Sequence, residues 1–237
     1  MAPKEINPGA GKICVSIAGK DTAAALLAAK KAESGADVIE IRLDSLTSPD
    51  IEPFLRQLKT PLLFTNRPVW EGGLYDGPEE NRLSPLMQAV QSSAAYVDIE
   101  LQSNQSAVGK LCSAALNRPT RIIVSWHNFK ETPAADALQD IFSRQHDSGA
   151  HIGKMVTMAH DFHDVLRVLQ LQEIAHQKGF PLIAFCMGRA GMISRLATLE
   201  LGGFMTYAAP DAGQGTAPGQ LTVAGLVNCL QVFRHAD

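Results

Sequence analysis

A single (β/α)8 TIM barrel, of the α/β class, is the fold this sequence predicts. Three observations predict it. Eight short β-like runs recur along the chain, their starts 22 to 35 residues apart. Helix-like segments fill the intervals, the alternation expected of a parallel sheet wrapped by helices. Several runs are apolar on one face and charged on the other, whereas an ordinary parallel strand is apolar on both. A charged face turned inward, near the C-terminal strand ends, is where barrel active sites lie. An open doubly wound sheet is the alternative, but no GxGxxG turn follows the first run.

The runs are Lys12–Gly19, Val38–Asp44, Pro61–Arg67, Tyr96–Leu101, Arg121–Asn128, Ile152–Ala159, Leu182–Gly188 and Phe204–Ala209. Residues 12–237 form the expected barrel, and residues 1–11 a flexible lead-in without a signal-peptide core. Thr22–Ser34 reads as the first helix. Asp164–Lys178 reads as another, with Val165, Leu166, Leu169 and Ile174 as its apolar stripe and Gly35 and Gly179 as helix stops. In the second run Ile39, Ile41 and Leu43 share one face, and Glu40, Arg42 and Asp44 the other. In the fourth, Asp98 and Glu100 oppose Val97, Ile99 and Leu101. In the fifth, Ile123, Ser125 and His127 oppose Ile122, Val124 and Trp126. A structural ion-pair network inside the barrel would give the same pattern, but buried pairs usually cost more desolvation than they return.

The sixth run, His151 to Thr157, surrounds a single cation, Lys154, with apolar residues. A free lysine has a pKa of about 10.4, and burial or neighbouring cations push it down toward the neutral amine that attacks a carbonyl. The alternative is a lysine at a strand end with its head in water. The other strand ends favour the first reading. The third run ends Phe64-Thr-Asn-Arg67 and continues to Glu71-Gly-Gly73. The seventh ends Phe185-Cys-Met-Gly188, followed by Met192-Ile-Ser-Arg195. A Gly/Pro-rich stretch, 209–220, follows the eighth and is long enough for a lid. Lys154 is the candidate nucleophile and His127 the candidate acid–base group. Arg42, Arg67 and Arg195 suit a carboxylate or phosphate. Glu40, Asp98 and Glu71 can orient His127 or hold hydroxyls.

Composition excludes other classes. The net charge is -3 with no basic run, which argues against nucleic acid or an acidic membrane as partner. The longest apolar runs, about seven residues, are too short to span a bilayer. Cys14, Cys112, Cys186 and Cys229 lack CxxC spacing and read as reduced thiols in a cytoplasmic protein. His160 and His163 have no evident third ligand, so no metal is expected.

These residues, in this order over nearly the whole chain, resemble type I 3-dehydroquinate dehydratase of the shikimate pathway. The resemblance rests on Glu40-Ile-Arg42 with Asp44, Phe64-Thr-Asn-Arg67 with Glu71-Gly-Gly73, Ser125-Trp-His127, Gly153-Lys154, Met187-Gly188, Ile193-Ser-Arg195 and Ala217-Pro-Gly-Gln220. It implies a Schiff base between Lys154 and the ketone of 3-dehydroquinate. It implies that His127 moves the protons, oriented by Glu71 and Asp98. Arg195 and Gln220 would hold the substrate with Ser16, Glu40, Arg42, Arg67 and Thr216, while Phe185 and Met187 pack on its ring. Such enzymes need no cofactor and are often homodimers. Two positions depart from the family pattern: Asn128 stands where aspartate is common, and Thr216 where serine is common. A class I aldolase also uses a barrel lysine, but commonly grips a phosphate through glycine-rich loops, of which Gly202-Gly203 is a faint echo. A non-catalytic sugar-acid-binding barrel would need no lysine–histidine pair.

Overall fold

The computed structural model describes residues 11–213 and 215–234. All of the expected lead-in except Gly11 lies outside the described residues, as does Gln214 of the expected lid. Eight parallel strands form one sheet: β1 (Lys12–Ile17), β2 (Val38–Arg42), β3 (Leu62–Thr65), β4 (Tyr96–Glu100), β5 (Arg121–Asn128), β6 (Ile152–Met158), β7 (Leu182–Met187) and β8 (Met205–Ala208). Their order is β7-β6-β5-β4-β3-β2-β1-β8, and Phe204 N donates to Leu182 O at 2.8 Å across the seam between β7 and β8. The sheet is a nearly closed barrel.

Each expected run is a strand, but most end sooner than their apolar pattern does. Asp44 lies in a 3-10 turn, Leu43–Ser45; Arg67 lies past β3; Gly188, at φ 79°, opens a helix. The chain leaves the sheet where its side chains turn toward the barrel mouth.

The helices are α1 (Thr22–Ala32), α2 (Glu52–Gln57), α3 (Glu79–Gln91), α4 (Gln105–Ala115), α5 (Ala135–Asp147), α6 (Phe162–Leu169), α7 (Leu171–Lys178), α8 (Gly188–Glu200) and α9 (Val223–Arg234). Asp21 and Asn104 cap α1 and α4, accepting from Ala24 N at 2.9 Å and Ser106 N at 2.8 Å. The single helix expected over Asp164–Lys178 is two. α6 starts earlier, behind Asp161, whose Oδ1 accepts from Asp164 N at 3.1 Å. The backbone tightens at Gln170, where Glu173 N donates to Gln170 O at 3.2 Å, the i to i+3 pattern of a 3-10 turn. The bend lets Val165 and Val168 on one side, and Leu171 and Ala175 on the other, all stay buried. Gly179 is the left-handed stop of α7 at φ 63°, whereas Gly35 has ordinary backbone two residues past Glu33, the C-cap of α1.

Strand alternation produces two cores. Ile39, Ile41, Val97, Ile99, Ile122, Met155 and Ala184 point outward to the helices. Cys14, Val38, Leu63, Tyr96, Ile123, Ile152, Ile183 and Met205 point inward and plug the barrel floor. One pleat step higher, the inward positions turn polar yet remain buried: Ser16, Glu40, Asp98, Glu100, Ser125 and Lys154. The pairing register sets Ser16 beside Glu40 and Ser125 beside Lys154. A slip of one residue would send these groups into the helix layer.

Candidate active site

Lys154 stands at the centre of the barrel mouth, 4% exposed, so its head is out of water. Its Nζ lies 3.1 Å from Asp98 Oδ2, 3.9 Å from Glu40 Oε1 and 4.2 Å from the centroid of the Tyr207 ring. Glu40 is itself held by the hydroxyls of Thr65, at 2.8 Å, and Ser16. The immediate neighbours of the amine are thus carboxylates and an aromatic face.

Asp98 does not touch His127, as orientation of the ring would require. It binds Lys154, Arg67 Nη2 at 2.9 Å and Ser125 Oγ at 2.6 Å. Burial would raise this carboxyl, but Arg67, Lys154 and the Ser125 hydroxyl hold it below the ordinary aspartate value. Arg67 also reaches Glu100 at 2.6 Å, Ser125 at 2.7 Å and Glu71 at 3.4 Å. Burial alone would lower this guanidinium; Asp98, Glu100, Glu71 and Glu40 instead keep it above its ordinary value, permanently charged. Behind it, Arg82 of α3 donates to Glu100 at 2.5 Å, to Ser103 at 2.8 Å, to the Asn66 carbonyl at 3.0 Å and to both oxygens of Glu79. Charges therefore alternate from Glu79 at the surface through Arg82, Glu100, Arg67 and Asp98 to Lys154. Arg67 has its fork filled by protein and is a scaffold for the site before it is a ligand for anything else.

His127 Nδ1 lies 2.9 Å from Glu71 Oε2, which leaves Nε2 to face the cleft. Burial pushes the imidazole well below its ordinary value, and Arg67, Lys154 and Arg42 push the same way. Burial likewise lifts Glu71 well above the carboxylate range, against Arg67 and with Glu100 and Asp98. The first shift keeps the ring neutral near neutral pH, the form that accepts a proton, and a Glu71 carboxylate on Nδ1 holds that nitrogen's proton so that Nε2 is the acceptor. Phe129 stacks on the ring, its centroid 6.1 Å away. Gly72 makes room for it: at φ 76° this residue comes so close that a Cβ there would sit 2.3 Å from the Phe129 ring.

Across the cleft, Arg195 of α8 is 1% exposed and lies 4.6 Å over the Phe185 ring. Its Nη2 donates to Pro218 O at 3.2 Å, but Nε and Nη1 have no partner among the described residues. Burial pulls this guanidinium down to about 10. A buried guanidinium with open N–H groups suits a carboxylate or phosphate. Arg42 is already bidentate on Asp44, at 2.8 and 2.6 Å, yet lines the same cleft with Met187, Thr216 and Gln220. In the loop, Gln220 Oε1 accepts from Thr216 N at 2.8 Å and Oγ1 at 3.3 Å, and Gly219, at φ 71°, packs against the Gly188 backbone. Lys154, His127, Glu71, Glu40, Arg42, Arg67, Phe185, Met187, Arg195, Thr216 and Gln220 therefore line one cleft; Ser16 and Asp98 support it from below.

The type I 3-dehydroquinase family matches residues 13–237. This chain belongs to that family. It is 48% identical over 213 residues to the 3-dehydroquinate dehydratase of Desulfotalea psychrophila, covering 90% of this chain and 94% of that protein. Among solved structures, it superimposes on the type I 3-dehydroquinate dehydratase of Clostridium difficile with a TM-score of 0.87 at 25% identity, covering 100% of this chain and 98% of the other. The 3-dehydroquinate dehydratase of Geobacillus kaustophilus gives 0.87 at 27% identity, over 98% and 93%.

Within this type I 3-dehydroquinase, one departure from the family pattern acquires a structural reason. Asn128 turns away from His127: its Oδ1 accepts from Lys130 N at 2.9 Å and Glu131 N at 3.1 Å, closing the turn after β5. An asparagine does this as well as an aspartate. Two site residues, Tyr207 and Arg82, were not singled out by sequence reasoning, and Glu100 was placed on the charged face of its run without a role. Tyr207 occupies an inward position of β8, so strand alternation could have found it. Arg82 sits on a helix with no such signal. Among the described residues there is no cluster of three or more metal-ligating side chains and no helix long and apolar enough to cross a membrane.

Proposed function

We propose that this protein dehydrates 3-dehydroquinate to 3-dehydroshikimate through an imine on Lys154, with no cofactor, as a cytoplasmic homodimer. The observation that carries the chemistry is the placement of Lys154 Nζ, 3.1 Å from Asp98, in the same cleft as a neutral His127 bonded to Glu71 and an under-bonded Arg195.

The amine adds to the C3 ketone and water leaves, forming a cationic iminium. Asp98 and Glu40, already paired with the lysine, lie beside the positive charge that develops there, without reorganising. Arg195 offers its unfilled N–H groups to the substrate carboxylate and so fixes which ring carbon faces His127. His127 removes the C2 proton through Nε2; Glu71, on Nδ1, stabilises the imidazolium that results. The C2–H electrons flow toward the iminium and leave an enamine. Their return expels the C1 hydroxyl, which departs as water with the proton carried by His127. Water then hydrolyses the conjugated imine and frees the amine. The 215–220 segment, pinned through Pro218, Gln220 and Gly219, lines the cleft and keeps bulk water from the imine.

Mixing the purified protein with 3-dehydroquinate is expected to produce the ultraviolet absorbance of the conjugated enone. Borohydride added with product is expected to inactivate the protein covalently, with the mass increase on the peptide bearing Lys154. An adduct on another lysine, or turnover without trapping, would remove the imine from the mechanism.

A further inference from the structure

Tyr207 is an inward residue of β8, 5% exposed, and lines the cleft with Glu40 and Arg195. Its ring lies under Lys154 Nζ at 4.2 Å and tilts against Phe185 with centroids 6.0 Å apart. The ring alone would do both of those things, and a phenylalanine would do them as well. The hydroxyl is what needs explaining. It is buried, and no protein atom among the described residues hydrogen-bonds to it. Native proteins seldom leave a buried hydroxyl unpaired, because desolvation is then uncompensated. Burial, with Glu40, Cys14 and Asp98 around it, also holds the phenol well above its ordinary value. The group therefore stays protonated and is a donor at every working pH.

We propose that the Tyr207 hydroxyl is a substrate contact, donating a hydrogen bond to the ring hydroxyl on the carbon next to the imine carbon, on the side away from His127. This rests on the dehydratase reading above. That reading puts C3 on Lys154, the carboxylate end on Arg195 and C2 toward His127. The carbon on the other side of C3 is C4, and its hydroxyl then falls on the Glu40 and Tyr207 side of the cleft. Glu40, a carboxylate that accepts from Thr65 and Ser16, can accept the C4 O–H but cannot donate to its oxygen, which needs a separate donor. Tyr207 supplies the donor, and makes the site selective for substrates hydroxylated beside the ketone.

The test is Tyr207→Phe, which keeps the ring and removes the orphan oxygen. Without ligand, the variant is expected to melt no lower than the wild type, since no protein bond is lost. Its KM for 3-dehydroquinate is expected to rise about three- to tenfold, the worth of one neutral hydrogen bond, with a smaller change in kcat. An analogue lacking the C4 hydroxyl is expected to bind wild type and variant alike. Three results would each overturn the contact: an unchanged KM, an analogue that still distinguishes the two proteins, or a lower unliganded melting temperature, which would mean the hydroxyl has a structural partner. A wild-type protein inert toward 3-dehydroquinate would instead overturn the dehydratase reading, and this contact with it.

Discussion

Replacing Arg82 with methionine tests the charge relay beneath the site. Methionine keeps the apolar stem and removes the fork. In the wild type Glu100 is fully buried between Arg82 at 2.5 Å and Arg67 at 2.6 Å, with Ser103 at 3.4 Å. The substitution leaves that carboxylate with one cation instead of two, and strands the Asn66 carbonyl without its 3.0 Å donor. Breaking a buried pair by removing one partner costs about 3–5 kcal/mol. The Glu79 arm adds little, because that side chain is 42% exposed and turns to water. In a domain of this size each kcal/mol moves Tm by about 2–4 °C, so the variant is expected to melt about 6–20 °C lower. Thermal and urea unfolding read this directly. The decisive arm is the double variant Arg82→Met with Glu100→Gln. With the stranded charge gone, it is expected to recover about 0.5–3 kcal/mol of the loss, the range measured for residues in one network. A loss of under about 1 kcal/mol in the single variant, or no recovery in the double, would refute the idea that Arg82 holds Glu100 ionised behind Arg67.

Two further substitutions separate roles inside the cleft. Lys154→Ala is expected to abolish both turnover and borohydride trapping. His127→Ala is expected to lose at least about 10²–10⁴ in kcat yet still show a trapped adduct by mass spectrometry; near-wild-type turnover would make Glu71 the proton carrier. The same histidine sets a pH limit. Its folded pKa lies below the ordinary 6.5, so the neutral base persists as pH falls past that value, and the acid limb of kcat/KM is expected below pH 6.5. A limb above it would contradict the burial argument. Arg195→Met is expected to act with opposite signs on stability and binding. Below about 10 the guanidinium is a charge that burial penalises, so the unliganded variant is expected to melt at the wild-type temperature or higher, while product affinity measured by calorimetry falls at least tenfold. A destabilised variant that still binds product would refute an anion-binding role.

Much of this protein is determined within short stretches of its sequence. The inward or outward direction of Glu40, Asp98, Ser125 and Lys154 follows from strand alternation alone, because the side-chain period of a strand is two and the helix layer demands apolar partners. Eight such strands with helices between them have few ways to bury their outer faces, and closure is one of them. The identity of the chemical groups at the mouth was legible for the same reason: they sit at strand ends, one pleat above an apolar plug.

Which of those groups touch was not legible. Asp98 could have faced His127 or Lys154 from sequence; the barrel puts it on Lys154 and Arg67 and gives Glu71 to the histidine. That choice depends on how far each side chain reaches across the barrel, which no local pattern encodes. Arg82 lies on a helix whose neighbours read as an ordinary surface, and only the approach of α3 to the end of β4 buries its fork against Glu100. The protonation states follow the same rule. An isolated histidine or glutamate titrates near its ordinary value, and it is the surrounding fold, by excluding water and fixing the neighbouring charges, that makes His127 a neutral base and Glu71 a reluctant anion. Sequence chose the reactive groups and the faces they occupy; only tertiary structure assigned their partners, because desolvation and charge pairing act between residues far apart along the chain.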